Sequence, residues 1–262
     1  MRTGRGRLGL ALTLLALAAG PGRAAEAVPD LYRVTVFVTG QGEETRGPAL
    51  SRALAAVLVK VSGDPGLADS PALAPLADHA PNYVEGFSYR DLMAGIPVHD
   101  EQGSRDRPYD LTVDFAPGKI DAALASLGAV PWTGPRPELL AVIGVETGDT
   151  RFTLAADGPK GRDMREALAA AATKYGLPVV LPDTASLAAD DDTSALLHAA
   201  GADVALTGAL VWDDDALGWT ARWQMTTDAG TLGWTARQVS FDQAFRVAIG
   251  GAAQVLSGHG NP

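Results

Sequence analysis

The densest groups of potential ligands in the chain are two runs of three carboxylates, Asp190-Asp191-Asp192 and Asp213-Asp214-Asp215. A calcium ion takes about six to eight oxygens, and such runs begin to supply them. Asp192, however, stands where an apolar helical pattern with Leu196 and Leu197 begins, and the second run falls in a turn between strands. Both runs are therefore read as solvated turn or helix-start acids. The four histidines, His79, His99, His198 and His259, are far apart, and none has a second ligand at metal spacing, so no metal site is assigned. The 31 acidic residues offer many carboxylate pairs for hydrolysis, and nothing selects one of them. The stretch Gly4-Arg5-Gly6-Arg7-Leu8-Gly9 has the letters of a dinucleotide loop, but no strand precedes it. The patterns GxxxxGK[ST], HExxH, GxSxG and a full EF-hand loop do not occur, so no catalytic residue and no cofactor are assigned.

Trp132 and Arg136 remain as the binding candidates. They lie in Pro131-Trp132-Thr133-Gly134-Pro135-Arg136-Pro137, where each proline fixes its own φ and pushes the preceding residue towards an extended shape. A stiff connector of this kind can border a cleft, and domain junctions often host ligands. The plainer alternative is that Trp132 wedges two domains together while Arg136 pairs with an acid. Trp219, Trp223 and Trp234 could form an aromatic platform, but beside a capped amphipathic helix they read as core.

The elements that must position these residues follow from periodicity. Tyr32, Val34, Val36 and Val38 alternate as on one face of a strand. Ala49, Leu50, Ala53, Leu54, Val57, Leu58 and Val61 recur at helical spacing, with Gly63 as a left-handed stop. Residues 83–90 and 109–115 read as two more strands, joined by a connection over 94–108 that is expected to be a mobile loop. Pro117 opens a helix carrying Ile120, Leu124 and Leu127.

Beyond the connector, residues 139–145 form a continuous apolar run, as in a strand covered on both faces. A helix with Met164, Leu168, Ala171, Ala172 and Tyr175 and a strand at 179–181 complete a βαβ unit. A further buried strand is expected over 202–212. Gly218-Trp219-Thr220-Ala221-Arg222 then recurs as Gly233-Trp234-Thr235-Ala236-Arg237, which predicts a hairpin with its tryptophans on one face. Ser240 and Gln243 match a capping box ahead of a wide apolar stripe from Phe241 to Leu256, and the tail at 258–262 is expected to be disordered. The fold class is thus α/β, mixed with α+β. Two small sandwich-like domains with mixed sheets are expected over 28–133 and 134–262, the second ending in the Trp-rich hairpin and the amphipathic helix.

Residues 1–27 have the make-up of a signal peptide. Arg2, Arg5 and Arg7 precede an apolar run too short for the roughly 20 residues of a membrane span, and small residues allow cleavage near Ala24 or Ala27. The absence of an Arg-Arg pair points to the general secretory route. No cysteine is present, so a disulfide, a thiolate metal site and a cysteine-borne lipid anchor are all ruled out. Loss of four arginines and one glutamate with the leader takes the formal net charge from −10 to −13. A surface of that sign repels phosphate backbones and anionic headgroups, so nucleic acid is not an expected partner.

Residues 52–64, 83–90 and 111–115, the Arg136-Pro137 region, residues 201–208 and the tryptophan hairpin together resemble the exported bacterial family known as domain of unknown function 2066. The second half is more loosely similar to the α/β domain at the front of the Tol-system propeller protein and to curli-secretion lipoproteins. The resemblance implies an envelope protein without an assigned reaction, and relatives that act by contacting other envelope proteins. The expectation is a soluble periplasmic protein, without a transmembrane segment or a lipid anchor, that serves as a non-enzymatic interaction or scaffold module for another envelope protein. The alternatives are an envelope hydrolase with an unidentified carboxylate pair and a periplasmic small-ligand binder.

Overall fold

The computed structural model describes residues 30–96, 99–100, 103–104, 107–189, 192–228 and 230–262. The segment expected to be a signal peptide, Asp190 and Asp191 lie outside the described residues. The architecture is mixed α/β, with a three-stranded and a six-stranded sheet.

The chain opens with β1 (Arg33–Thr39), whose alternation places Val34, Val36 and Val38 towards the core. Helix α1 (Glu43–Ser62) packs on it through a stripe of alanine, leucine and valine and ends at Gly63 in the left-handed region, φ 76°. The helix begins six residues before the apolar stripe, because its first turns are solvated and carry no core-facing signal. Three short 3-10 turns and α2 (Ala74–Ala77) lead to β2 (Val84–Asp91).

Within the connection expected to be a mobile loop, β3 (His99–Asp100) and β4 (Gly103–Ser104) pair with each other. Its ends are tied by Arg107, which donates to Asp91 Oδ2 at 2.6 Å, to the Met93 carbonyl at 2.7 Å and to the Ile96 carbonyl at 2.8 Å. The same guanidinium holds the Asp91 carboxyl below its ordinary range. β5 (Pro108–Phe115) returns between β1 and β2, antiparallel to both, and α3 (Pro117–Ser126) follows with proline at its start.

The second sheet is built around β6 (Leu139–Thr147). It turns into β7 (Thr150–Thr153), an antiparallel partner with no clear sequence signal because only Phe152 of its four residues is even half-buried. Helix α4 (Arg162–Tyr175) then crosses to β8 (Val179–Val180), which is parallel to β6 but shorter than the periodicity predicts. Helices α5 (Thr184–Ala189) and α6 (Thr193–Ala200) follow, the latter capped by Asp192 through the Ala195 amide at 3.0 Å. β9 (Val204–Asp213) lies parallel to β6, and the predicted hairpin is β10 (Gly218–Thr227) and β11 (Gly230–Val239).

Helix α7 (Phe241–Leu256) covers the tryptophan face of that hairpin and packs against α4. Trp223 meets the Phe245 ring with centroids 6.1 Å apart, and Trp234 Nε1 donates to the Val247 carbonyl at 3.0 Å. The tryptophans are core residues, with Trp223 2% exposed.

Two local expectations fail. Ser240 Oγ accepts from the Gln243 amide at 3.2 Å, but the Gln243 side chain accepts from Arg246 instead of reaching back, so only half of the capping box forms. The tail is not loose: it folds back so that the Asn261 carbonyl accepts from Gln254 Nε2 at 3.0 Å and the His259 amide donates to the Gln254 carbonyl at 2.9 Å.

Gly208 on β9 sits directly opposite Trp223 on β10, with the indole lying over it. A Cβ there would come within 2.1 Å of Trp223 Cζ3, closer than any packing allows. Gly208→Ala should therefore destabilise the fold by about 1–3 kcal/mol through overpacking. Chemical denaturation would check this, with a lowered midpoint at unchanged slope as the expected result.

Candidate functional site

The C-terminal end of a helix leaves up to four backbone carbonyls without internal partners, and burying them requires donors from elsewhere. The connector supplies those donors to two helices at once. Arg136, 7% exposed, donates from Nη2 to the Lys60 carbonyl at 2.7 Å and the Val61 carbonyl at 3.3 Å, at the end of α1. From Nη1 it donates to the Tyr175 carbonyl at 2.7 Å and the Gly176 carbonyl at 3.3 Å, at the end of α4. The Trp132 amide takes the Val61 carbonyl as well, at 2.9 Å. A cation at the negative end of a helix dipole contributes about 0.3–2 kcal/mol, and here one guanidinium serves two such ends. Burial pulls the Arg136 pKa down to about 10, still well above neutral pH, so the side chain stays charged.

This corrects the expectation that Arg136 pairs with an acid. Its acceptors are main-chain carbonyls, which no residue type advertises. Trp132 is half-buried at the same junction and also lines a cleft in front of it. Its ring stacks on the Arg136 guanidinium, 4.2 Å from the centroid, and its other contacts include Gly63. A Cβ on Gly63 would come within 2.8 Å of Trp132 Cε3 and 2.7 Å of Ser257 Cβ, so the ends of α1 and α7 and the connector meet at this point. Ser257 Oγ, at the end of α7, donates to the Gly63 carbonyl at 3.2 Å.

In front of the connector opens a cleft of about 920 Å³, within the range that ligand sites occupy. Its walls are the start of β1, the bulge of β2, the end of β5 and residues 132–136. The β2–β5 register shifts between Val84 and Gly86, so Glu85 is the bulged residue, and bulges re-aim side chains. Glu85 lines the cleft and is exposed, whereas Asp30 and Asp114 are both engaged by Arg33. Tyr32, also on the cleft wall, donates its hydroxyl to Asp121 Oδ1 at 2.9 Å. Burial and that bond push its pKa up to about 12, so the phenol stays neutral at physiological pH. Behind β1, Lys60 is 6% exposed and its ammonium donates to the Asp30 and Arg33 carbonyls at 2.9 and 3.1 Å. Burial lowers its pKa. Lys60 carries a sequence signal, a lysine inside the apolar run Val57-Leu58-Val59-Lys60-Val61, whereas Glu85 has none, because a bulge is set by pairing between distant strands.

The remaining sequence candidates sit elsewhere. Asp213 accepts the Asp215 and Ala216 amides at 3.0 Å each, and Asp214 accepts from Trp212 Nε1 at 2.9 Å, so this run builds its own turn. Among the described residues no three histidine or acidic side chains converge as an ion site. Ser257 Oγ lies 2.8 Å from His259 Nδ1, a contact of nucleophile-and-base type, but the single hydroxyl proton also has the Gly63 and Gln254 carbonyls within reach, and among the described residues no acid is bonded to the imidazole.

Arg136→Met strands the two close carbonyl contacts and should cost about 3 kcal/mol or more. Arg136→Lys, a point charge without the planar fork, should recover only part of that loss. Denaturant unfolding of both variants checks the order wild type, lysine, methionine.

Residues 25–133 match a family model described as Domain of unknown function (DUF8605), and comparison with curated proteins finds no match. The matching model replaces the resemblance to domain of unknown function 2066, and the comparisons give no support to the looser likeness of the second half to the Tol-system and curli-secretion proteins. Apart from the Arg136-Pro137 region, the segments behind that resemblance are strands and helix stripes, and apolar spacing of this kind is imposed by burial in unrelated α/β proteins as well. What the chain is similar to is therefore a domain without an assigned activity, over a region that includes every strand of the small sheet and ends inside the connector.

Proposed function

We propose that this chain is an exported, non-enzymatic interaction module of the bacterial cell envelope, and that it receives another envelope protein at the Trp132 cleft. In this reading residues 1–27 are a leader removed near Ala24 or Ala27, residues 28–133 and 134–262 are two domains, and the mature protein works in the periplasm without a lipid anchor.

One observation carries the proposal. The cleft of about 920 Å³ stands on a rigid junction and presents groups suited to recognition, among them the exposed Glu85 carboxylate and the exposed Thr133, while its best-placed cation, Arg136, is fully committed to helix carbonyls. A reacting site needs a nucleophile, a base and a group that orients the base, and that set is not assembled on the cleft wall. A receiving surface needs shape and a few placed polar groups, which are present.

The test is site-specific photo-crosslinking in the native host, with the photoreactive residue at Thr133 on the cleft and, separately, at Leu217, which is 77% exposed in the β9–β10 turn. The expected result is one envelope protein recovered repeatedly from Thr133 and not from Leu217. Recovery of the chain alone from Thr133, at native expression, would contradict the proposal.

A further inference from the structure

β1 is an outer strand of its sheet, and among the described residues it pairs on one side only, with β5. In an antiparallel ladder each residue turns its N–H and C=O to the same side, alternately. The Tyr32 carbonyl accepts the Phe115 amide, so Tyr32, Val34 and Val36 face β5, while Arg33, Thr35 and Phe37 face outward. Two of these outward carbonyls are already covered: Arg33 by Lys60 Nζ at 3.1 Å and Phe37 by Arg52 Nη2 at 3.3 Å. Between them the Thr35 N–H and C=O and the Phe37 N–H have no partner among the described residues. Natural proteins blunt an open edge with cations and bulges. Here the blunting stops at the two ends and leaves a window in the middle.

Beside that window lies a cavity of about 610 Å³, bounded by β1 on one side and by α1 and α4 on the other. The helices present Ala56, Ala170 and Thr173 to it, side chains short enough to leave room for a strand at the ladder spacing of about 4.8 Å. Asp30 and Arg33 line both this groove and the Trp132 cleft, so the two adjoin at the start of β1. The groove is locally basic in an acidic chain. Lys60 is bonded to carbonyls only, and Lys174 on α4 lies near Arg246 on α7 and forms no ion pair among the described residues. Arg33 is matched by Asp30 and Asp114, which leaves Lys174, whose ammonium lies 5.5 Å from the centre of the Tyr175 ring, as the groove's exposed cation without an acidic partner among the described residues.

We infer that the partner docks by strand addition: an extended, acidic segment pairs its backbone with Thr35 and Phe37 along the free edge of β1 and sets a carboxylate against Lys174. Such docking takes affinity from main-chain hydrogen bonds and selectivity from alternate side chains and charge. The inference rests on the reading of this chain as a protein-interaction module and specifies the form of its partner.

The experiment is selection of random heptapeptides displayed on phage against the purified protein, repeated on two variants. Thr35→Pro removes the outward N–H at a position where an edge strand tolerates proline, and Thr35→Ala removes only the side chain. The expected peptides alternate β-branched residues with Asp or Glu. They should bind Thr35→Pro at least about ten-fold more weakly, Thr35→Ala within about two-fold of wild type, and Lys174→Glu about ten-fold more weakly. Because Thr35→Pro is informative only where circular dichroism shows it folded, N-methylation of successive peptide amides gives a second measurement on the unaltered protein. Strand addition predicts loss of binding at every other position. No enrichment, basic winners, binding indifferent to folded Thr35→Pro, or methylation without alternation would each overturn the inference. A partner crosslinked through Thr133 that binds folded Thr35→Pro unchanged would leave the module reading standing and remove strand addition.

Discussion

A single guanidinium closing two helices is the constraint from which the arrangement of this protein follows. The ends of α1 and α4 are buried against the connector, where water is not on hand to take their last carbonyls. Leaving such acceptors unpaired costs about 1–3 kcal/mol each. Arg136 meets them because its donors are fixed in a planar fork, and Pro135 and Pro137 stiffen the chain on either side of it. The cost is a buried cation with no anion beside it among the described residues; burial lowers the Arg136 pKa, and the carbonyl bonds, the two helix dipoles and the face of Trp132 offset that cost.

Geometry propagates outward from that point. α1 carries β1 through its apolar stripe and through Lys60, whose ammonium reaches the Asp30 and Arg33 carbonyls. α4 packs on α7, which covers the tryptophan hairpin of the second sheet. Joining the ends of α1 and α4 therefore sets one sheet against the other, and both concave surfaces of interest lie along that seam. A receiving surface at a seam is only as well shaped as the contact that holds the seam.

Much of this was open to reading from local spacing. The alternation of Val34, Val36 and Val38, the α1 stripe ending at Gly63, and the repeated Gly-Trp-Thr-Ala-Arg of the hairpin each encode an element within a few residues, because burial repeats with the period of the backbone. Trp132 and Arg136 were also identifiable as a pair on a stiff connector. What they touch was not, since carbonyl acceptors are common to every residue and their exposure at a helix end depends on where distant elements pack. The same reason hid the Glu85 bulge, the engagement of Gln243 by Arg246, and the folded tail. The family assignment failed for a related cause: apolar spacing reports burial, and burial is shared by unrelated chains.

Hydrogen exchange on Arg136→Met, under conditions where the variant remains folded, tests the central claim most directly. If one side chain closes both helices, the amides of the last turn of α1 and those of the last turn of α4 should lose protection together, while those of β10 and β11 keep theirs. Unchanged protection, or loss confined to one of the two helices, would contradict the account.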